Sequence, residues 1–475
     1  MELNAVLILG AIASGYMAWT IGANDVANAM GTSVGSRSLT IRQALIIAAV
    51  ANLMGAVLVG GHVTKTIQSG LIAEGVTLEP MELACGMLAS LFAAAIWVTV
   101  ATYLKLPVST THAIVGGVVG VLILIGGFET VRWSKVTEVA ASWVISPTLA
   151  GLLAYAVFSL VRARIIQRPD PVRATRAWGP FIIASVFAVL ALVILYKGLG
   201  DLNLDLDAGA AAILAAVMAA LAGLMGWVLI RREPALRVDA RTLQRAMRDR
   251  DRAQVARGLA VAYSGLEQAA AASETGLRED IEEISTRISE LRGAVEPVVD
   301  TRRHEPKYFL VEKVFASIQV ISATCVAFSQ GANDVANAIG PFASIREQLT
   351  GTDDSLPLWV LLMGGALIAT GIATWGWRVI QTVGTEITQL TPTRGFSAEF
   401  ACAATVLLAS RLGLPISTTH CLVGAVLGIG LARGVQSLNW RVARSIVVSW
   451  IVTLPVAGVL AIALTVLFRS IWVTG

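Results

Sequence analysis

The sequence predicts an all-α membrane protein with about twelve transmembrane segments. They are expected to form two inverted repeats, with broken or half helices around a site at the bilayer midplane. Three observations carry this. Of 475 residues, 56% are hydrophobic and only 14% charged, against about a quarter charged in soluble domains. Apolar stretches of spanning length recur along the chain. Two polar motifs inside those stretches each occur twice.

A spanning helix needs about 20 apolar residues. Segments 5–30, 41–61, 82–104, 108–126, 137–161, 180–198, 208–230, 309–340, 356–383, 397–412, 415–433 and 443–470 meet or approach that length. The first, starting in MELNAVLILG, lacks the basic n-region and small-residue cleavage site of a signal peptide. It is expected to be a retained membrane helix. The four cysteines, Cys85, Cys325, Cys402 and Cys421, lie in apolar stretches without metal or redox spacing and read as core residues. A net charge of +4 implies no nucleic-acid partner.

Residues 231–308 hold 29 of the 68 charged residues and form a polar insert. Within it Leu277, Ile281, Ile284, Ile288, Leu291 and Val295 recur at 4-3 steps, the apolar stripe of an amphipathic helix. Arg162, Arg164, Arg168, Arg173 and Arg176 share one loop, Arg231 and Arg232 open the insert, and Arg433, Arg441 and Arg444 share another loop. The positive-inside rule places all three in the cytoplasm. Acidic loops around Glu74 and Glu79, around Asp201, Asp205 and Asp207, and around Asp353 and Asp354 then lie outside. Twelve crossings satisfy these assignments.

The repeat fixes the organisation. Gly22-Ala-Asn-Asp-Val-Ala-Asn-Ala-Met-Gly31 recurs as Gly331-Ala-Asn-Asp-Val-Ala-Asn-Ala-Ile-Gly340, at an offset of 309. Leu106-Pro-Val-Ser-Thr-Thr-His112 recurs as Leu414-Pro-Ile-Ser-Thr-Thr-His420, at 308, and Ser142-Trp143 recurs as Ser449-Trp450, at 307. The expected units are a first membrane repeat at 1–162, two intervening helices in 163–230, the insert at 231–308 and a second repeat at 309–475. The loop charges start the first half outside and the second inside, so the repeats are inverted. Many secondary transporters share that design, with the site at the repeat interface.

Asn24, Asp25 and Asn28, and again Asn333, Asp334 and Asn337, lie inside apolar helices. A carboxylate at membrane depth is costly and points to function. A polar contact that merely joins helices accounts poorly for two identical copies. In the second motif, proline precedes Ser109, Thr110 and Thr111, and again Ser417, Thr418 and Thr419. Hydroxyls and unpaired N–H groups at a helix start make an anion site. Ordinary capping explains one hydroxyl per helix and leaves two. His112 and His420 read as structural residues or as handlers of protons or anions. Carboxylates and an anion repel strongly in a low dielectric, and neither motif holds Lys or Arg. A cation such as Na⁺, or protonation of the carboxylates, would reconcile them. Anion and cation should therefore bind together, which is the basis of symport.

The paired GANDVANA and P-[VI]-STTH motifs resemble the inorganic phosphate transporter (PiT) family, relatives of the vertebrate retroviral-receptor phosphate transporters. The resemblance covers both membrane halves but not the insert. It implies phosphate symport with Na⁺ or H⁺ and a homodimer in the cell membrane, with no bound cofactor. It makes Asp25 and Asp334 the family's essential aspartates and the two Ser-Thr-Thr runs its phosphate-binding segments. It also marks Glu399, in Gly395-Phe-Ser-Ala-Glu-Phe400, as an important acidic position, and Gln381 as a minor candidate. The expected cation site thus draws on Asn24, Asp25, Asn28, Asn333, Asp334, Asn337, Gln381 and Glu399.

One departure stands out. Several relatives carry a glutamate in the second helix of the first half, where this chain has Asn52. Lys65 aligns with Gln381 and can snorkel to the membrane surface. Sulfate suits the same hydroxyls, but only HPO₄²⁻ offers a hydrogen to Asp25 or Asp334. An anion-selective channel is a further alternative, which concentrative uptake would separate. An intramembrane enzyme has no HExxH to support it, and its one GxSxG match, Gly31-Thr32-Ser33-Val34-Gly35, lies just past the apolar segment 5–30 rather than inside it.

Overall fold

The computed structural model describes residues 2–195, 207–232, 275–294, 306–351, 357–380, 391–434 and 440–472, with a few positions between 258 and 269. The helices are α1 (Glu2–Gly35), α2 (Ile41–Val59), α3 (Gly61–Gln68), α4 (Pro80–Tyr103), α5 (Thr110–Gly126), α6 (Trp133–Val161), α7 (Pro171–Leu195) and α8 (Ala208–Arg232). They continue as α9 (Thr275–Ala294), α10 (Pro306–Thr350), α11 (Leu358–Trp375), α12 (Pro392–Arg411), α13 (Thr418–Arg433) and α14 (Trp440–Trp472). Among the described residues there is no strand beyond one isolated bridge, Ile72 to Val131. Among the described residues eight helices are long and apolar enough to cross a membrane, and α5 and α13 are shorter apolar helices. Where they are described, the predicted segments lie mainly on helices; α7 begins nine residues earlier than its apolar run, and residues 196–198, 356 and 381–383 lie outside the described residues.

The chain divides into two units. One comprises Met1–Arg162, Pro180–Gly226 and Phe315–Gly475; the other comprises Ala163–Gly179 and Trp227–Val314. In the second unit α9 carries the predicted stripe from Leu277 to Leu291, and Val295 lies outside the described residues. Ile281 is buried but Ile284 is half exposed, so its apolar stripe is only partly covered.

In the first unit, contacts come in corresponding pairs across the two halves. The helix α5 packs on α14, and α13 packs on α6. Glycine makes the approaches close. A Cβ on Gly22 would lie 2.0 Å from the Ile368 carbonyl oxygen, and one on Gly331 would lie 2.0 Å from that of Asn52. The motif helix of each half therefore touches backbone to backbone, α1 on α11 and α10 on α2. These glycines serve packing rather than unwinding. Both α1 and α10 run unbroken through their motifs, so the shortened helices are α5 and α13, not the ones that carry the aspartates.

Each short helix forms a hairpin with the helix before it, α4 with α5 and α12 with α13. Thr130 accepts from the Ala73 N–H at 2.9 Å and Leu71 from the Arg132 N–H at 2.9 Å, which ties the two outer ends of the first hairpin together. Arg132 also pairs with Glu74 at 2.7 Å. The turns 104–109 and 412–417 lie at the opposite ends. There Lys105 adopts φ 60° and its counterpart Gly413 adopts φ 66°.

Candidate functional site

Two asparagines pin these turns to the motif helices. The Asn24 amide donates to Thr102 Oγ1 at 2.9 Å and to the Leu106 carbonyl at 3.1 Å, while its oxygen accepts from the Val108 N–H at 3.3 Å. In the second half, Asn333 donates to Ser410 Oγ and to the Leu414 carbonyl, both at 3.1 Å. The hydroxyl-bearing helix starts are thereby held beside the aspartates.

Asp25 and Asp334 are both almost completely buried. Thr110 Oγ1 donates to Asp25 Oδ2 at 2.7 Å, and Thr418 Oγ1 donates to Asp334 Oδ2 at 3.2 Å. The last asparagine of each motif reaches across to the other half. Asn28 donates to Thr419 Oγ1 at 2.8 Å, and Asn337 donates to Thr111 Oγ1 at 3.0 Å. Asn28 also bonds Asp25 Oδ1 at 3.2 Å. All four threonines predicted for the anion site, Thr110, Thr111, Thr418 and Thr419, therefore converge with both aspartates in one interlocked site. Ser109 and Ser417 stand at its edge as helix caps, each accepting from the N–H three residues on, of His112 or His420, at 3.2 Å. The N–H groups of the residues in between open a helix and lack intrahelical acceptors.

Gln330, which the sequence reading did not select, joins the two motifs. Its amide donates to the Asp25 carbonyl at 2.6 Å. Its own Oε1, with Asn333 Oδ1, Asp334 Oδ1 and Asn337 Oδ1, is buried without a hydrogen-bond partner. Positions 330, 333, 334 and 337 share one face of α10. Unpaired buried acceptors are costly, and four oxygens on one stripe suit a hard cation. Among the described residues no group of three or more His, Cys, Asp or Glu could hold a metal ion. A cation here would therefore bind largely neutral oxygens around one carboxylate.

Glu399 sits in a second polar pocket. It accepts from Thr32, from Ser33 at 2.8 Å, from Ser322 at 2.5 Å and from Gln319 at 3.0 Å. Ser36 and Ser38 each donate to Gln319 Oε1 at 2.7 Å, which turns its amide toward Glu399. A Cβ on Gly395 would lie 1.9 Å from Gln319 Nε2, so glycine makes room for that amide. Thr32 and Ser33 lie about one helical turn beyond Asn28. The repeat places Pro341 and Phe342 at the corresponding positions, so this pocket has no counterpart in the other half. The four donors were missed because no repeated motif marks them. Lys65 is exposed on α3, consistent with snorkelling, and Gln381 lies outside the described residues.

The histidines form a brace between the halves. His112 Nδ1 lies 3.2 Å from the Trp450 carbonyl and its ring 3.9 Å from the Trp143 ring. His420 Nδ1 lies 3.1 Å from the Trp143 carbonyl and its ring stacks on Trp450 at 3.5 Å. A carbonyl only accepts, so both Nδ1 atoms carry hydrogen. The two imidazoles are 4.6 Å apart. His112→Asn keeps a donor at the Nδ1 position and should leave the phosphate KM near wild type. His112→Gln displaces that donor, and losing a net bond of about 1 kcal/mol should raise KM about fivefold. Uptake kinetics of the two variants check this.

Comparisons with known proteins identify the family. The model of the phosphate transporter family matches residues 21–461. The chain belongs to that family. It is 37% identical over 472 residues to a phosphate permease of Pyrococcus furiosus, covering 97% of this chain and 96% of the relative. It is 39% identical over 464 residues to the chloroplastic inorganic phosphate transporter 2-1 of Arabidopsis thaliana, covering 96% of this chain and 71% of the relative. A solved sodium-dependent phosphate transporter superposes with a TM-score of 0.78 at 33% identity, covering 98% of this chain and all of the other. The phosphate transporter fold expected from the paired motifs is therefore shown. The protein is a multi-pass membrane transporter and not an enzyme.

Proposed function

We propose that this phosphate transporter is a symporter that imports inorganic phosphate together with Na⁺ by alternating access. The observation that carries the reading is the buried pair Asp25 and Asp334 beside two hydroxyl-bearing helix starts, with unpartnered acceptor oxygens on α10. An anion there requires a positive partner, and Na⁺ accepts those oxygens. Thr110, Thr111, Thr418 and Thr419, with the N–H groups of their helix starts, would hold phosphate, and Ser109 and Ser417 would fix those starts. Asn24, Asp25, Asn28, Asn333, Asp334 and Asn337 would hold or orient the cation, and Glu399 would serve it from the second pocket. Similarity to a sodium-dependent transporter supports Na⁺.

In this reading 1–162 and 309–475 are inverted repeats, 163–230 intervenes, and 231–308 is a cytoplasmic insert. The protein works in the cell membrane as a homodimer. Proteoliposomes with Na⁺ and pH gradients imposed separately test the function. Saturable phosphate uptake should appear, with arsenate competing and sulfate nearly inert, because sulfate at neutral pH has no hydrogen for Asp25 or Asp334. Equal competition by sulfate would overturn the substrate assignment.

A further inference from the structure

The second unit carries a charged surface that transport does not use. The segment 162–178 contains five arginines, one aspartate and no lysine. Arg164, Arg168, Arg173 and Arg176 are exposed, as is Arg231 near the end of α8. Among the described residues none of these five pairs with a carboxylate. The one acid, Asp170, accepts from the Arg173 N–H at 3.2 Å.

Packing gathers this charge at one end of a helix pair. A Cβ on Gly179 would lie 2.4 Å from Ile230 Cδ1, so the start of α7 touches the end of α8. The residues beside that contact are Trp178 and Arg231. The Arg164 guanidinium lies 4.9 Å over the Trp178 ring, and that of Arg231 lies 4.1 Å over Trp227. Cation–π contacts of this kind orient a guanidinium over the ring face. Directly beyond, Gly209–Val228 is apolar enough to cross a membrane. Arginine and tryptophan at the end of such a span mark the headgroup layer.

We propose that this arginine–tryptophan surface binds the phosphate groups of anionic phospholipids. Arginine binds phosphate oxygens bidentately where lysine offers only a point charge, and here every basic residue of 162–178 is arginine. The placement at an apolar boundary favours lipid over a soluble anion. The surface is independent of the transport site, so it stands whatever ion drives uptake.

Native mass spectrometry of the full-length protein in detergent tests this, with phosphatidylglycerol against phosphatidylcholine at equal concentration. Wild type should retain phosphatidylglycerol preferentially, and raised ionic strength should weaken that preference. Arg173→Gln/Arg176→Gln combined with Arg164→Gln/Arg231→Gln should bind it at least about tenfold more weakly. Transport in phosphatidylcholine vesicles should be unchanged. Equal retention of the two lipids by wild type overturns the proposal even if the variant fails to fold. So does undiminished retention by a folded variant. Displacement of the lipid by equimolar inorganic phosphate would assign the surface to the free anion instead.

Discussion

Asp25→Asn or Asp334→Asn should nearly abolish phosphate transport while the protein still folds and inserts. Asparagine keeps the volume and one carbonyl-type oxygen of aspartate, so packing of α1 and α10 survives. It removes the negative charge that would hold a cation beside phosphate. A hydrogen bond to a charged group contributes about 1.5–3 kcal/mol, so each loss predicts a roughly 10- to 100-fold weaker site. The two sites are coupled. The Asp25 carbonyl accepts from Gln330, and Asn28 and Asn337 each reach the other half's threonine. Loss on one side should therefore depress binding on both. Phosphate uptake, normalised to inserted protein, checks this. Substantial uptake by either variant would reduce that aspartate to a packing element.

Much of this site was legible in the sequence because the chain writes it twice. Two copies of one pattern distinguished Asp25, Asp334 and the four threonines from incidental polar residues. The third recurrence, Ser142-Trp143 with Ser449-Trp450, was visible too, but its chemistry was not. Only the structure places those tryptophans against His112 and His420 of the hydroxyl motifs. The Glu399 pocket lay beyond the reach of the same method. Its donors come from α1 and α10, helices far from α12 in the chain, and the pattern occurs once. Gln330 directly precedes the second motif, yet its counterpart Ile21 is apolar, so comparing the halves passes over it. The continuity of α1 and α10 was also hidden, because glycine serves unwinding and close packing equally well. The contacts with α11 and α2 decide between them.

Replacing Na⁺ by choline at fixed pH should collapse phosphate uptake. The unpartnered oxygens of Gln330, Asn333, Asp334 and Asn337 on α10 are the physical reason. Three of the four come from amides, which cannot be satisfied by taking up a proton on their oxygen, whereas a hard cation coordinates neutral oxygens readily. A proton on Asp334 would make its oxygen a donor to at most one of the amide oxygens and leave the other two unpaired. Against this stands Asn52, which removes a carboxylate that several relatives keep. Its amide donates to the Ala48 carbonyl at 3.0 Å, and its backbone meets Gly331 three residues before Asp334. This position therefore serves helix packing beside the second motif, and its lost charge leaves the α10 stripe intact. Uptake that persists in choline and instead follows an inward pH gradient would make the protein a proton symporter. Asp25 or Asp334 would then be the proton carrier, and Asp25→Asn or Asp334→Asn would uncouple transport from that gradient.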